Sequence, residues 1–170
     1  RADLEQYYGL DSKDEIAVVI DDEVIRSEDL AQDEAEGLKV IPAKVYDSEY
    51  YIEASVVRDK INERFYWDSN ENLLIYTTAT AVITTHINSN KYTINKSLNA
   101  KDYVIAKLKN NKLYIALDFV KDYTALSYNL YKNPNRVVLK YEYGKKQKWI
   151  QSAEETKLRF EPSIKSPILV

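Results

Sequence analysis

Apolar residues recur in short runs separated by Asn- and Asp-rich breaks, and the period changes along the chain. Val18–Ile25 (VVIDDEVI) and His86–Ile94 (HINSNKYTI) each read as strand, polar turn, strand. LLIYTT from Leu73 and RVVLKY from Arg136 are apolar, partly β-branched runs that predict strands after the turns DSNEN and YKNPN. Between these features the spacing becomes helical: Val56, Val57 and Ile61 in one place, Phe119, Val120 and Tyr123 in another. RADLEQYYG at the start predicts a helical turn stopped at Gly9, followed by an acidic loop.

The same order occurs twice. Shifting the chain by 63 residues lays Ala43–Ile75 on Ala106–Val138 without a gap, with eight identical pairs in 33 positions, among them Tyr51/Tyr114, Ile52/Ile115 and Asp59/Asp122. Ser55 and Asp118 coincide before the two helical patterns, and both are residue types that cap a first turn. Each half therefore reads as strand–strand, loop, strand, short helix, strand–strand. That order predicts an α+β fold: two tandem copies of a small, mainly antiparallel sheet packed on a short helix. A unit of this size buries only about 60% of its unfolded surface, so the copies are expected to pack on each other, and one can complete the other's sheet.

The triplet Phe65-Tyr66-Trp67 takes its meaning from this alignment. Phe65 falls on Tyr128 and Trp67 on Leu130, and alternation points both pairs at a core. Tyr66 points outward, opposite Asn129.

Composition narrows the function. Basic and acidic residues number 24 and 27 and are interspersed, so no basic stripe neutralises phosphates or an anionic membrane. Glycine occurs only 3 times, which leaves Asn and Asp to make the turns and excludes a glycine-rich phosphate loop. With 1 histidine and neither cysteine nor methionine, the donors of a copper or zinc site are lacking. His86, in the alternating run VITTHIN, reads as a surface or edge side chain. No Gly-x-Ser-x-Gly elbow accompanies it. The acidic stretches Asp11–Glu15 and Glu28–Glu36 lack the spacing of a calcium loop and read as solvated charge. Asp59 and Asp122 read as solvent-facing helix positions, and no carboxylate pair stands out for glycoside hydrolysis. No cofactor is predicted. The absence of methionine, the initiator included, reads as a processed or excised chain. The 15 tyrosines suit pleated, half-wet surfaces and an exported module.

The units YYIEASVVRDKINERFYWDSNENLLIYTT and LYIALDFVKDYTALSYNLYKNPNRVVLKY resemble the repeat of the copper amine oxidase N-terminal-like family, a stalk-type domain. Ile20-Asp21-Asp22-Glu23 and Ile87-Asn88-Ser89-Asn90 stand where that family has an Ile-Asn-Gly hairpin. Trp67-Asp68 matches its Trp-Asp strand, while Leu130-Tyr131 departs from it. The tail TKLRFEPSIKSPILV is similar to the start of a small barrel that, in exported clostridial proteins, precedes a family-18, chitinase-like glycoside hydrolase. The family-18 signature itself is absent here.

The resemblance implies a non-catalytic exported module that spaces or orients such a hydrolase at the cell envelope. The alternative is a carbohydrate-binding module, for chitin or peptidoglycan, that stacks sugars on outward tyrosines. Tyr46, Tyr50, Tyr76, Tyr92, Tyr103, Tyr141 and Tyr143 are in the wider set, with Tyr66 and Tyr131 the candidates for glycan contact. The boundaries drawn are a lead-in at 1–14, repeat 1 at 15–78, repeat 2 at 79–147, and a linker with a truncated barrel start at 148–170. Partners are a wall glycan or chitin-like polysaccharide and the downstream domains, without nucleic acid or membrane insertion.

Overall fold

The computed structural model describes residues 4–10, 15–30 and 39–142. The tail, the hinge around Gly144, Tyr143 and much of both acidic stretches lie outside the described residues.

Among the described residues, thirteen strands, three short α-helices and a 3-10 turn at Ser27–Asp29 make an α+β fold. The strands in chain order are β1 (Ala17–Ile20), β2 (Glu23–Ile25), β3 (Ala43–Tyr46), β4 (Glu49–Glu53), β5 (Phe65–Asp68), β6 (Leu73–Thr77), β7 (Val82–His86), β8 (Lys91–Ile94), β9 (Ser97–Ala100), β10 (Ala106–Lys109), β11 (Lys112–Ala116), β12 (Leu126–Tyr131) and β13 (Arg136–Tyr141). Helix α1 (Leu4–Tyr7) opens the chain, and Gly9 follows it at φ +75°. Helix α2 (Ala54–Val56) widens into a π-type turn over Val57–Ile61, and α3 covers Leu117–Asp122.

The strands form three sheets, where one sheet per copy was expected. The central sheet runs β10-β11-β4-β3 and takes two strands from each half. One flanking sheet runs β12-β13-β1-β2, the other β5-β6-β7-β8-β9. Pairing is antiparallel except at β1, which runs parallel to β13, whereas β7 runs antiparallel to β6.

Each strand expected after a loop is a complete hairpin, β3–β4 and β10–β11. Both turn on two left-handed residues without glycine, Asp47-Ser48 and Asn110-Asn111, as do Asp21-Asp22 and Asn95-Lys96. Asn or Asp stands first in each bend, as the scarcity of glycine implies, while Ser48 and Lys96 take the second position in two of them. Strand β9 has no counterpart in the expected pattern.

The halves meet in all three sheets, at β4·β11 in the central one and at β13·β1 and β6·β7 in the flanking ones. Ile52 pairs with Ile115, Tyr51 with Ala116, and Glu53 with Tyr114. Two interior bonds recur at a spacing of 63: Glu53 N donates to the Pro42 carbonyl (2.9 Å) and Ala116 N to the Ile105 carbonyl (2.8 Å). A single hydrophobic core joins all three sheets, with Val18, Ile52, Leu74, Ile115, Phe119 and Leu139 at or near zero exposure.

The helix caps differ from the expectation. Ser55 and Asp118 lie inside the first turns, and the capping positions are Glu53 and Ala116. The strand runs directly into each helix, so the cap falls on the last strand residue. Glu53 reaches forward to accept from Ser55 N at 3.1 Å and from the Ser55 hydroxyl.

Candidate functional site

Two groupings among the described residues bear on function: a carboxyl–tyrosine cluster and the exposed aromatics. The cluster is positioned by strand register. Continuing the β4·β11 pairing two residues past Tyr51 and Ala116 brings Glu49, at the start of β4, opposite Asp118 in the first turn of α3. The two carboxyls are in hydrogen-bonding contact. Burial pushes Glu49 up to about 7, and the hydrogen bond and charge of Asp118, with the charge of Asp102, add to it. Asp118 Oδ1 also accepts the Tyr128 hydroxyl at 2.8 Å. Burial, then Asp118, raises that phenol. Tyr103 is raised by burial first and by the surrounding Asp122, Asp118 and Glu49. Beside it Lys101 Nζ lies 2.7 Å from Asp122 Oδ2 and above the Tyr92 ring.

A carboxyl titrating near neutrality can move a proton. Glycoside hydrolysis, however, needs two carboxyls held about 5 Å or more apart with the sugar between them. Glu49 and Asp118 instead touch each other, and Asp118 is further tied to Tyr128. The arrangement fastens β4, α3 and β12 together. Sequence reasoning missed this pair because its members belong to different halves. Its signal is the pairing register: the related positions are Ser55 and Lys112, so the two ends of the dyad carry different chemistry.

No three His, Cys, Asp or Glu side chains among the described residues converge as a metal group. His86 is exposed at the end of β7. Asp59 faces solvent and is held by Arg58 at 2.9 Å, which lowers its carboxyl through that hydrogen bond. Asp122 is less free than expected, since Lys101 holds it. No described helix is long and apolar enough to cross a membrane.

The aromatic triplet behaves in part as its alternation predicts. Phe65 is 2% exposed and packs on Tyr76 and Phe119, and Tyr66 is 58% exposed. Trp67 is partly buried against the core. Leu130, expected to face the core like Trp67, is 45% exposed, because it lies one residue from the end of the outer strand β12. Tyr76, counted among the possible outward tyrosines, is buried beside Tyr123.

Tyr66 and Tyr131 do not form one platform. They lie on different sheets, β5 in one and β12 in the other. One face of the Tyr131 ring carries the Arg136 guanidinium at 5.0 Å, and that guanidinium also stacks on Tyr8 at 5.7 Å.

The family model described as the copper amine oxidase N-terminal domain matches residues 34–140 of the chain. No curated protein and no solved structure matches it.

Proposed function

The chain belongs to the copper amine oxidase N-terminal domain family, and from that premise we propose that it is a non-catalytic, exported spacer built from two interlocked copies of one small unit. Its task is to hold a neighbouring catalytic domain, a chitinase-like glycoside hydrolase, at a fixed distance and angle from the bacterial envelope. The N-terminal domain of copper amine oxidases is a non-catalytic accessory domain, which supports the reading. Copper itself has no place in it, because 1 histidine without cysteine or methionine cannot make up a copper ligand set.

One observation carries the proposal: the central sheet takes two strands from each half and joins them at Ile52 and Ile115. Two domains connected by a linker bend where few contacts cross. Here the boundary is a ladder inside a continuous core, so the halves move as one body. A spacer needs that rigidity.

The test uses the protein with its downstream domains. Removing the module is expected to leave turnover of a small chromogenic chitobioside unchanged and to reduce attack on polymer within intact envelopes. Hydrolysis of the chitobioside by the module alone, or equal attack on envelopes without it, overturns the proposal.

A further inference from the structure

The outward face of the five-stranded sheet carries a row that the spacer reading does not use. Register alone sets it out: Tyr66 pairs with Ile75, Ile75 with Thr84, Thr84 with Thr93, and Thr93 with Leu98. The row crosses all five strands on one face, because partners across a ladder point the same way. Its ends are exposed apolar groups, Tyr66 at 58% and Leu98 at 67%. Its middle holds two threonines whose hydroxyls bond each other at 2.6 Å. Each hydroxyl keeps further hydrogen-bonding capacity for a partner above the sheet.

Charge distribution separates this row from an ordinary solvated face. The chain is 30% charged, yet the row has no charge. The parallel row on one side begins Asp68, Leu73, His86, with Lys91 on the next strand, and the row on the other side contains Thr77 and Val82 with the exposed Arg64 beside Thr77, its Nη1 donating to the Thr77 carbonyl at 3.2 Å. A neutral stripe with an aromatic at one end and charges along both borders has the composition of an interface centre and its rim.

The dimensions decide between occupants. Four gaps between strands span about 19 Å, and three rows cover about 14 Å, giving roughly 270 Å². A stable protein partner covers about 800 Å² on each side. The face is too small for a second copy and long enough for several units of an extended polymer. Flat CH faces against Tyr66 and Leu98, with hydroxyls over the threonines, are the chemistry of a neutral linear polysaccharide.

We propose that the Tyr66–Ile75–Thr84–Thr93–Leu98 row binds a neutral, linear, β-linked polysaccharide laid across the strands. Tyr131 is not part of this site, since it lies on the other flanking sheet with Arg136 on its ring. The proposal is independent of the spacer reading: a module that orients no enzyme still binds through this face.

Calorimetric titration with a β-1,4-linked glucose hexamer, an N-acetylglucosamine hexamer and a polygalacturonate oligomer tests it, with sedimentation of the same samples. Binding of one or both neutral hexamers is expected, without binding of the acidic one, and the preferred hexamer identifies the source. Tyr66→Ala and Thr93→Lys are expected to weaken that binding at least tenfold. Tyr131→Ala leaves it unchanged, and all three variants melt as folded proteins. No neutral binding at millimolar ligand, binding insensitive to Tyr66→Ala and Thr93→Lys, or a dimer that Thr93→Lys splits each overturns the proposal.

Discussion

Tyr51 and Tyr114, 63 positions apart, make the same bond to opposite halves of the molecule: the Tyr51 hydroxyl donates to the Val104 carbonyl at 2.6 Å and the Tyr114 hydroxyl to the Ile41 carbonyl at 2.7 Å. The two rings lie in the central sheet at 1% and 2% exposure, so each phenol reaches from a buried ring to the residues ahead of the other half's central-sheet hairpin, β10–β11 or β3–β4. Burial pushes the Tyr51 hydroxyl up to about 12 and raises that of Tyr114 as well, so both keep their donor protons at any physiological pH.

Removing either hydroxyl leaves a part-buried carbonyl without its donor. Tyr51→Phe and Tyr114→Phe are each expected to cost about 1–2 kcal/mol. Urea unfolding checks this, with the midpoint lowered and the m-value unchanged. Similar losses from the two variants are expected, because the bonds are equivalent.

Glu49 makes stability fall as pH rises. Its folded-state value, about 7, lies above the ordinary 4.5, so folding favours the protonated carboxyl. The contribution is complete below about 4.5 and is lost as pH passes through about 7. Asp118, Asp102, Tyr103 and Tyr128 surround the carboxyl; burial shifts Asp122 in the same direction. Melting temperatures are expected to drop between pH 5 and pH 8, and Glu49→Gln is expected to flatten that drop. A wild-type profile rising over this interval contradicts the raised Glu49 carboxyl.

The turn after β8 spends an L-residue where glycine fits. Lys96 sits at φ 76°, a left-handed position that costs a residue with a Cβ about 1–2 kcal/mol. Lys96→Gly gives part of this back as backbone entropy and is expected to stabilise by about 0.5–1 kcal/mol. Asn95→Ala acts oppositely. Asn95 Oδ1 accepts from Val82 N at 2.9 Å and Nδ2 donates to the Thr80 carbonyl at 3.2 Å, so about 1–2 kcal/mol is lost. Thermal unfolding of the two variants separates the effects by sign.

The elements were largely legible because they rest on local chemistry. The apolar, β-branched runs at β1, β6 and β13, the helical spacing at Val56–Ile61, and the stop at Gly9 depend on neighbours a few residues away. Hairpins β3–β4 and β10–β11 were harder to see, since Asp47-Ser48 and Asn110-Asn111 lack the glycine that marks a two-residue turn. Sheet membership was legible only as the expectation that one copy can complete the other's sheet, as in β10-β11-β4-β3. Nothing local to Ala17–Ile20 says that it pairs in parallel with Arg136–Leu139. The Glu49–Asp118 contact has the same origin, as each residue alone is an ordinary surface acid. Tyr66 was legible from alternation, whereas the loss of Tyr131 to Arg136 required the coordinates.

The central claim is that the two halves form one rigid body, and native-state hydrogen exchange at the amides of Ile52, Leu74 and Leu139 tests it directly. These three report the central sheet and the two flanking sheets. A single opening free energy, equal to that of global unfolding, is expected at all three. If Leu74 or Leu139 exchanges through a separate, lower-energy opening while the rest of the core stays protected, a flanking sheet opens on its own, the molecule is not one rigid body and the account is wrong.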